Sequence, residues 1–240
     1  MDMRAAPARR PVSISWRWWL ALLPLVALAH EAHELAHTVT GRLACGSWAL
    51  RDFSSWSITG CASLLPTAGG PVLSYLLMAI GIAGCMRGGG PRAWALALIA
   101  AANPLARIIT AVSGHGDEWL VVHRLLGADT GAIGYVLMLA IVALPAGTAM
   151  LVAWRATAGL RARVATYVAL MLIAMAITGP GVLLGNHFLH AGVWDQTVAG
   201  APWLVHAVTA VALLGVLLTV RGLRTFGVDG PRSRSVAAGR

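Results

Sequence analysis

Apolar residues in this chain do not alternate, nor do they mark one face of a helix; they run in long blocks separated by short polar segments. Six blocks stand out, Trp18 to Thr40, Leu64 to Met86, Ala93 to Val112, Ala132 to Trp154, Val164 to Leu184 and Trp203 to Val220. Each is close to the roughly 20 residues that a helix needs to cross a bilayer. Lipid offers backbone N–H and C=O groups no partner, so each block is predicted to be helical. The expectation is an all-α, polytopic integral membrane protein of about six transmembrane helices.

The polar segments divide the chain into four parts. Residues 1–17 and 222–240 are Pro- and Arg-bearing tails with too little apolar surface to fold. Residues 18–130 form a core of three spans with their outer loops, and residues 131–221 add three further spans; no internal repeat is visible. The loop GRLACGSWALRDFSSWSITGCAS, residues 41–63, spaces Trp48, Phe53 and Trp56 as short half-buried strands or an interfacial hairpin would. The loop SGHGDEWLVVHRLLGADTG, residues 113–131, opens with glycines that end a helix and continues as a short amphipathic stretch.

Composition agrees with the pattern: of 240 residues, 58% are hydrophobic and 11% charged, and the mean hydropathy is +0.74. The +9 net charge comes entirely from arginine, because the chain has no lysine. With the N-terminus inside, 14 of the 18 arginines fall in the tails and inner loops, against three (Arg42, Arg51, Arg124) in outer loops. That asymmetry is the positive-inside pattern. The arginines therefore report a plasma-membrane orientation with both termini cytoplasmic, and nucleic acid is not an expected partner. The cysteine count is too low for a disulfide scaffold. Cys45 and Cys61 share an outer loop, where they either pair or remain thiols, and Cys85 lies at the inner end of the second span. Arg9, Arg10, the apolar core to Ala29 and the small residues Ala27 and Ala29 also fit a secretory signal cleaved before His30. Cleavage there would delete most of the first span, so the span reading is preferred; N-terminal sequencing distinguishes the two.

One run breaks the apolar pattern. HEAHELAH, His30 to His37, closes the first block. On a helix, His30, His33, Glu34 and His37 share a face and Glu31 lies apart from it. Each charged residue at the centre of a membrane helix costs about 2.5–3.5 kcal/mol, so Glu31 and Glu34 need an offset, and a bound cation supplies one. His33 and His37, one turn apart, can converge on a single zinc ion. Together with Glu34 they spell HExxH, in which the glutamate takes a proton from a water activated by the metal. The alternative is that neighbouring helices or outer water satisfy these groups. Catalytic zinc takes a third protein ligand, and on the same side of the membrane the candidates are His115, Asp117, Glu118, His187 and His190. Each also reads as solvated loop polarity.

HELAH at the end of the first span is followed by TAGGPVLSY (Thr67 to Tyr75) opening the second and NPLAR (Asn103 to Arg107) then GHGDE in the third and its loop. This series resembles the site-2 protease family of intramembrane zinc metalloproteases over roughly residues 18–120. The resemblance implies a metal site between the first three helices, with His33, His37 and Asp117 as ligands. It also implies Glu34 as the base and Asn103 as a polar group that orients the substrate carbonyl. Three features depart from the family pattern. Ser74 stands where the family often has asparagine, Asp117 is followed by Glu118 and not glycine, and the site faces outward by the arginine count. The implied activity is hydrolysis of peptide bonds in membrane-protein or peptide substrates. Pro104 is expected to kink the third span. Arg107 must face the bundle or water, pairing with a carboxylate or binding a substrate carbonyl. Gly69, Gly70 and Pro71 either permit close helix approach or mark a helix start. The tryptophans read mostly as interfacial anchors without chemistry.

Two other function classes fit parts of the pattern. HEAHE resembles, one residue short, the metal site of ZIP-family importers, which makes a metal-ion transporter or metal-binding protein the alternative. An inactive protease homologue is the third reading.

Overall fold

The computed structural model of the chain describes residues 14–87, 92–127, 129–160 and 162–224. The predicted tails, except residues 14–17 and 222–224, lie outside the described residues, as do the inner-loop residues 88–91 and Arg161. The fold is mostly helical, with helices α1 (Trp16–Cys45), α2 (Leu65–Met86), α3 (Ala93–Ala101), α4 (Pro104–Val112), α5 (Asp117–Leu126), α6 (Gly131–Ala156), α7 (Arg163–His190) and α8 (Trp203–Thr219). Among the described residues, five segments are long and apolar enough to cross a membrane: α2, α3 with α4, α6, α7, and α8 with the 3-10 turn that follows it. The all-α expectation holds apart from two small ladders of two-residue strands. They are β1 (Leu50–Arg51) with β2 (Trp56–Ser57), and β3 (Thr197–Val198) with β4 (Ala201–Pro202), both antiparallel.

α1 is not among those five segments, because its outer half carries the His and Glu run. It is nonetheless the helix around which the bundle is built, packing against α2, α3, α7 and α8. It also extends beyond its apolar block at both ends. Ser15 caps the start by accepting the Trp18 N–H at 3.3 Å, and Gly46, left-handed at φ 73°, ends it. Its inner half enters the main core through Trp18, Leu22 and Val26, beside Met78, Leu96, Ile99 and Leu170. Trp18 is thus not an interfacial anchor: it is fully buried and donates its indole N–H to the Ala93 carbonyl at 2.9 Å. The opposite surface is apolar, with Ile133, Leu144, Leu183 and Leu218 about three-quarters exposed, which suits contact with lipid.

α2 lies close along the outer half of α1, and glycines permit it. A Cβ on Gly69 would fall 2.7 Å from the Ala36 carbonyl oxygen, and one on Gly70 would fall 2.5 Å from His33 Cε1. The close-approach reading of this Gly-Gly-Pro segment is therefore the correct one. The third span is broken, not simply kinked. α3 stops at Ala101, Asn103 takes the left-handed conformation (φ 53°, ψ 55°), and α4 restarts at Pro104. Asparagine tolerates this conformation better than most residues, and its Oδ1 accepts the Ala106 N–H at 3.4 Å to cap α4.

The loop from 46 to 64 folds back over the outer end of α1 as the expected hairpin. Cys45 and Cys61 pair across it as a disulfide. Arg51 is buried with Glu31 of α1 at 3.0 Å, and Thr209 of α8 donates to the same carboxylate oxygen at 3.0 Å. Phe53 N–H donates to Asn186 Oδ1 at 3.2 Å, which ties the hairpin to α7.

Candidate metal centre

The hairpin, α1, α2, α4 and α5 meet at one point beside the C-terminal half of α1. His33 and His37 project from successive turns of α1, and Asp117 opens α5 immediately after Gly116, whose φ of 98° turns the chain inward. The two Nε2 atoms are 3.3 Å apart, and Asp117 Oδ2 lies 3.3 Å from one and 3.4 Å from the other. For a tetrahedral ion with ligand bonds of about 2.0–2.1 Å, neighbouring donor atoms are separated by roughly 3.3–3.4 Å. These three donors thus have the mutual spacing of one face of such a tetrahedron, and they form the one His/Asp donor group found among the described residues.

Each donor is aimed by a contact on its other side. His37 Nδ1 donates to the Pro66 carbonyl at 2.6 Å, and His33 Nδ1 lies 3.0 Å from Ser74 Oγ. The His37 ring therefore turns Nε2 to the shared corner, as metal-binding imidazoles commonly do, while His33 Nε2 faces both the corner and Arg107 Nη2 at 2.8 Å. Ser74, the departure from the expected asparagine, supplies a hydroxyl in its place. Trp56 of β2 donates its indole N–H to Asp117 Oδ1 at 3.2 Å and stacks on His37 at 4.7 Å with an interplanar angle of 13°. Oδ2 is left for the corner. Burial alone would push the Asp117 carboxyl up, but hydrogen bonds from His33 and His37 outweigh it and hold it below the ordinary carboxylate range.

A polar cavity of about 270 Å³ opens beside this corner, lined by His33, Glu34, Ser74, Asn103, Arg107 and Asp117 among others. Glu34 is 6% exposed and its Oε2 has no hydrogen-bond partner. A buried carboxylate oxygen left unpaired is costly, and such atoms concentrate where chemistry needs them. Asn103 also lines the cavity. Its Oδ1 caps α4 by accepting the Ala106 N–H.

The remaining candidates fall elsewhere. His115 is exposed with Nδ1 against the Ser113 carbonyl at 2.6 Å, and His187 and His190 are exposed at the outer end of α7. Glu118 is buried but turned away from the two Nε2 atoms; it accepts from Tyr75 Oη at 2.6 Å and from Arg107 Nη1 at 3.3 Å. Arg107 therefore pairs with a carboxylate, and its Nη1 is also 3.6 Å from Asp117 Oδ2. Asp117 reaches the corner from α5, a ten-residue helix after the third span that is too short to cross a bilayer. No family model, curated protein or solved structure matches the chain. Sequence reasoning missed Trp56, Tyr75 and the Pro66 carbonyl. Trp56 lies in a loop 61 positions before Asp117, and no local signal marks that pairing.

Proposed function

We propose that the protein is an intramembrane zinc metallopeptidase of the site-2 protease type, hydrolysing peptide bonds of membrane-protein or peptide substrates. One observation carries the reading: three donors have tetrahedral spacing, and two of them, His33 and Asp117, line a cavity with Glu34, whose buried Oε2 has no hydrogen-bond partner. In this reading α1 crosses the bilayer as a sixth span, its polar face turned to the bundle.

His33, His37 and Asp117 would hold the ion, and two imidazoles with a carboxylate suit zinc. Bound zinc supplies a Lewis acid that lets a nearby water lose a proton near neutral pH. Glu34, which lines the same cavity as His33 and Asp117, would take that proton. As the water oxygen adds to the carbonyl carbon, the C=O π pair moves onto the carbonyl oxygen. Return of that pair breaks the C–N bond, and Glu34 passes its proton to the departing nitrogen. The Asn103 NH2 orients the carbonyl. Transport of metal along a path calls for a series of sites near the midplane, and the one donor group found among the described residues suits a peptidase better.

The test is Glu34→Gln in purified protein. It is expected to keep the metal of the wild type while cleavage of single-span membrane peptides falls at least a hundredfold, roughly the lower bound for loss of a general base. Undiminished cleavage by the variant overturns the assignment, and metal uptake into vesicles that survives Glu34→Gln favours the transporter.

A further inference from the structure

On the proteolytic reading, we propose that Arg107 is a catalytic residue that stabilises the negative charge on the carbonyl oxygen of the scissile bond, aimed by Tyr75 and Glu118 as positioning residues. Arg107 lies one turn after Asn103, the N-cap of α4, and both line the cavity that Glu34 also lines. Its Nη1 is anchored on Glu118 at 3.3 Å, and Glu118 is itself fixed by Tyr75 at 2.6 Å. Its Nη2 lies 2.7 and 2.8 Å from the two nitrogens of His33. Nη2 also donates to Ser74 Oγ at 3.4 Å, so the guanidinium is held beside the donor corner and lines the cavity.

When water adds, Glu34 takes up the proton and the carbonyl oxygen becomes negative within the cavity that Arg107 lines. A preorganised cation at that position acts more strongly on the charged oxygen than on the neutral carbonyl.

The experiment uses the full chain in detergent, loaded with zinc, and measures affinity for two probes. One is a phosphinic peptide, whose tetrahedral anion mimics the charged oxygen; the other is acetohydroxamate, which grips the metal without that mimicry. Arg107→Met is expected to weaken the phosphinic peptide about a hundredfold, the scale of losing one such donor. Acetohydroxamate affinity and zinc content should change less than about threefold on the same grounds, and Arg107→Lys should recover part of the phosphinic affinity. Equal losses for both probes, or no loss for either, overturn the role of Arg107 and leave the peptidase reading standing. A zinc-loaded wild type that binds neither probe overturns that reading and this assignment with it.

Discussion

A histidine becomes a metal ligand only when its ring is turned correctly, and in this chain the turning is done by atoms on another helix. His33 depends on the Ser74 hydroxyl and His37 on the Pro66 carbonyl, both from the start of α2. Ser74→Ala is therefore expected to lower zinc affinity about 10- to 100-fold, the usual effect of removing such a partner. Competition with a fluorescent chelator measures it, and unchanged affinity would show that the ring needs no guide. Asp117 makes a second prediction. Its folded-state pKa is depressed, so the stability it contributes is present above the unfolded carboxylate value of about 4 and is lost as pH falls through the folded value. With chelator present, the difference in Tm between wild type and Asp117→Asn should shrink as the pH falls below about 4. A difference that instead grows with acid would contradict the pairing.

At the scale of elements, the apolar blocks located the spanning helices well, because lipid-facing and core positions are both apolar and only the length matters. The ends were less visible: α1 extends past its block at both ends because Ser15 and Gly46, not hydropathy, terminate it. HExxH needed only the period of a helix, so His33, Glu34 and His37 were legible from spacing alone. Asp117 was not, since His115, Glu118 and His190 had equal local claims and only the turn at Gly116 decides among them. Trp56, Tyr75 and the pairing of Arg107 with Glu118 were illegible because each contact joins separate elements. The hairpin that delivers Trp56 is held at several points. Replacing both Cys45 and Cys61 by serine should lower stability by about 2–4 kcal/mol, read as a drop in Tm. Zinc should remain bound, because the Arg51–Glu31 pair and the bond from Phe53 to Asn186 still hold the hairpin in place. Loss of zinc in that variant would show the disulfide to be the main support.

For the whole molecule, the candidate site and the paired Cys45 and Cys61 belong to the same end of the bundle. The bundle sets a pocket at that end among helices whose other surfaces suit lipid, and α1 carries its ionisable face into the centre. The cost of burying that face is what the proposed cation offsets. Metal analysis of purified wild type beside the double variant His33→Ala, His37→Ala tests this most directly. The account predicts about one zinc per chain in the wild type, as three protein ligands imply, and none in the variant. A wild type without bound metal, or a double variant with the same content, would contradict it.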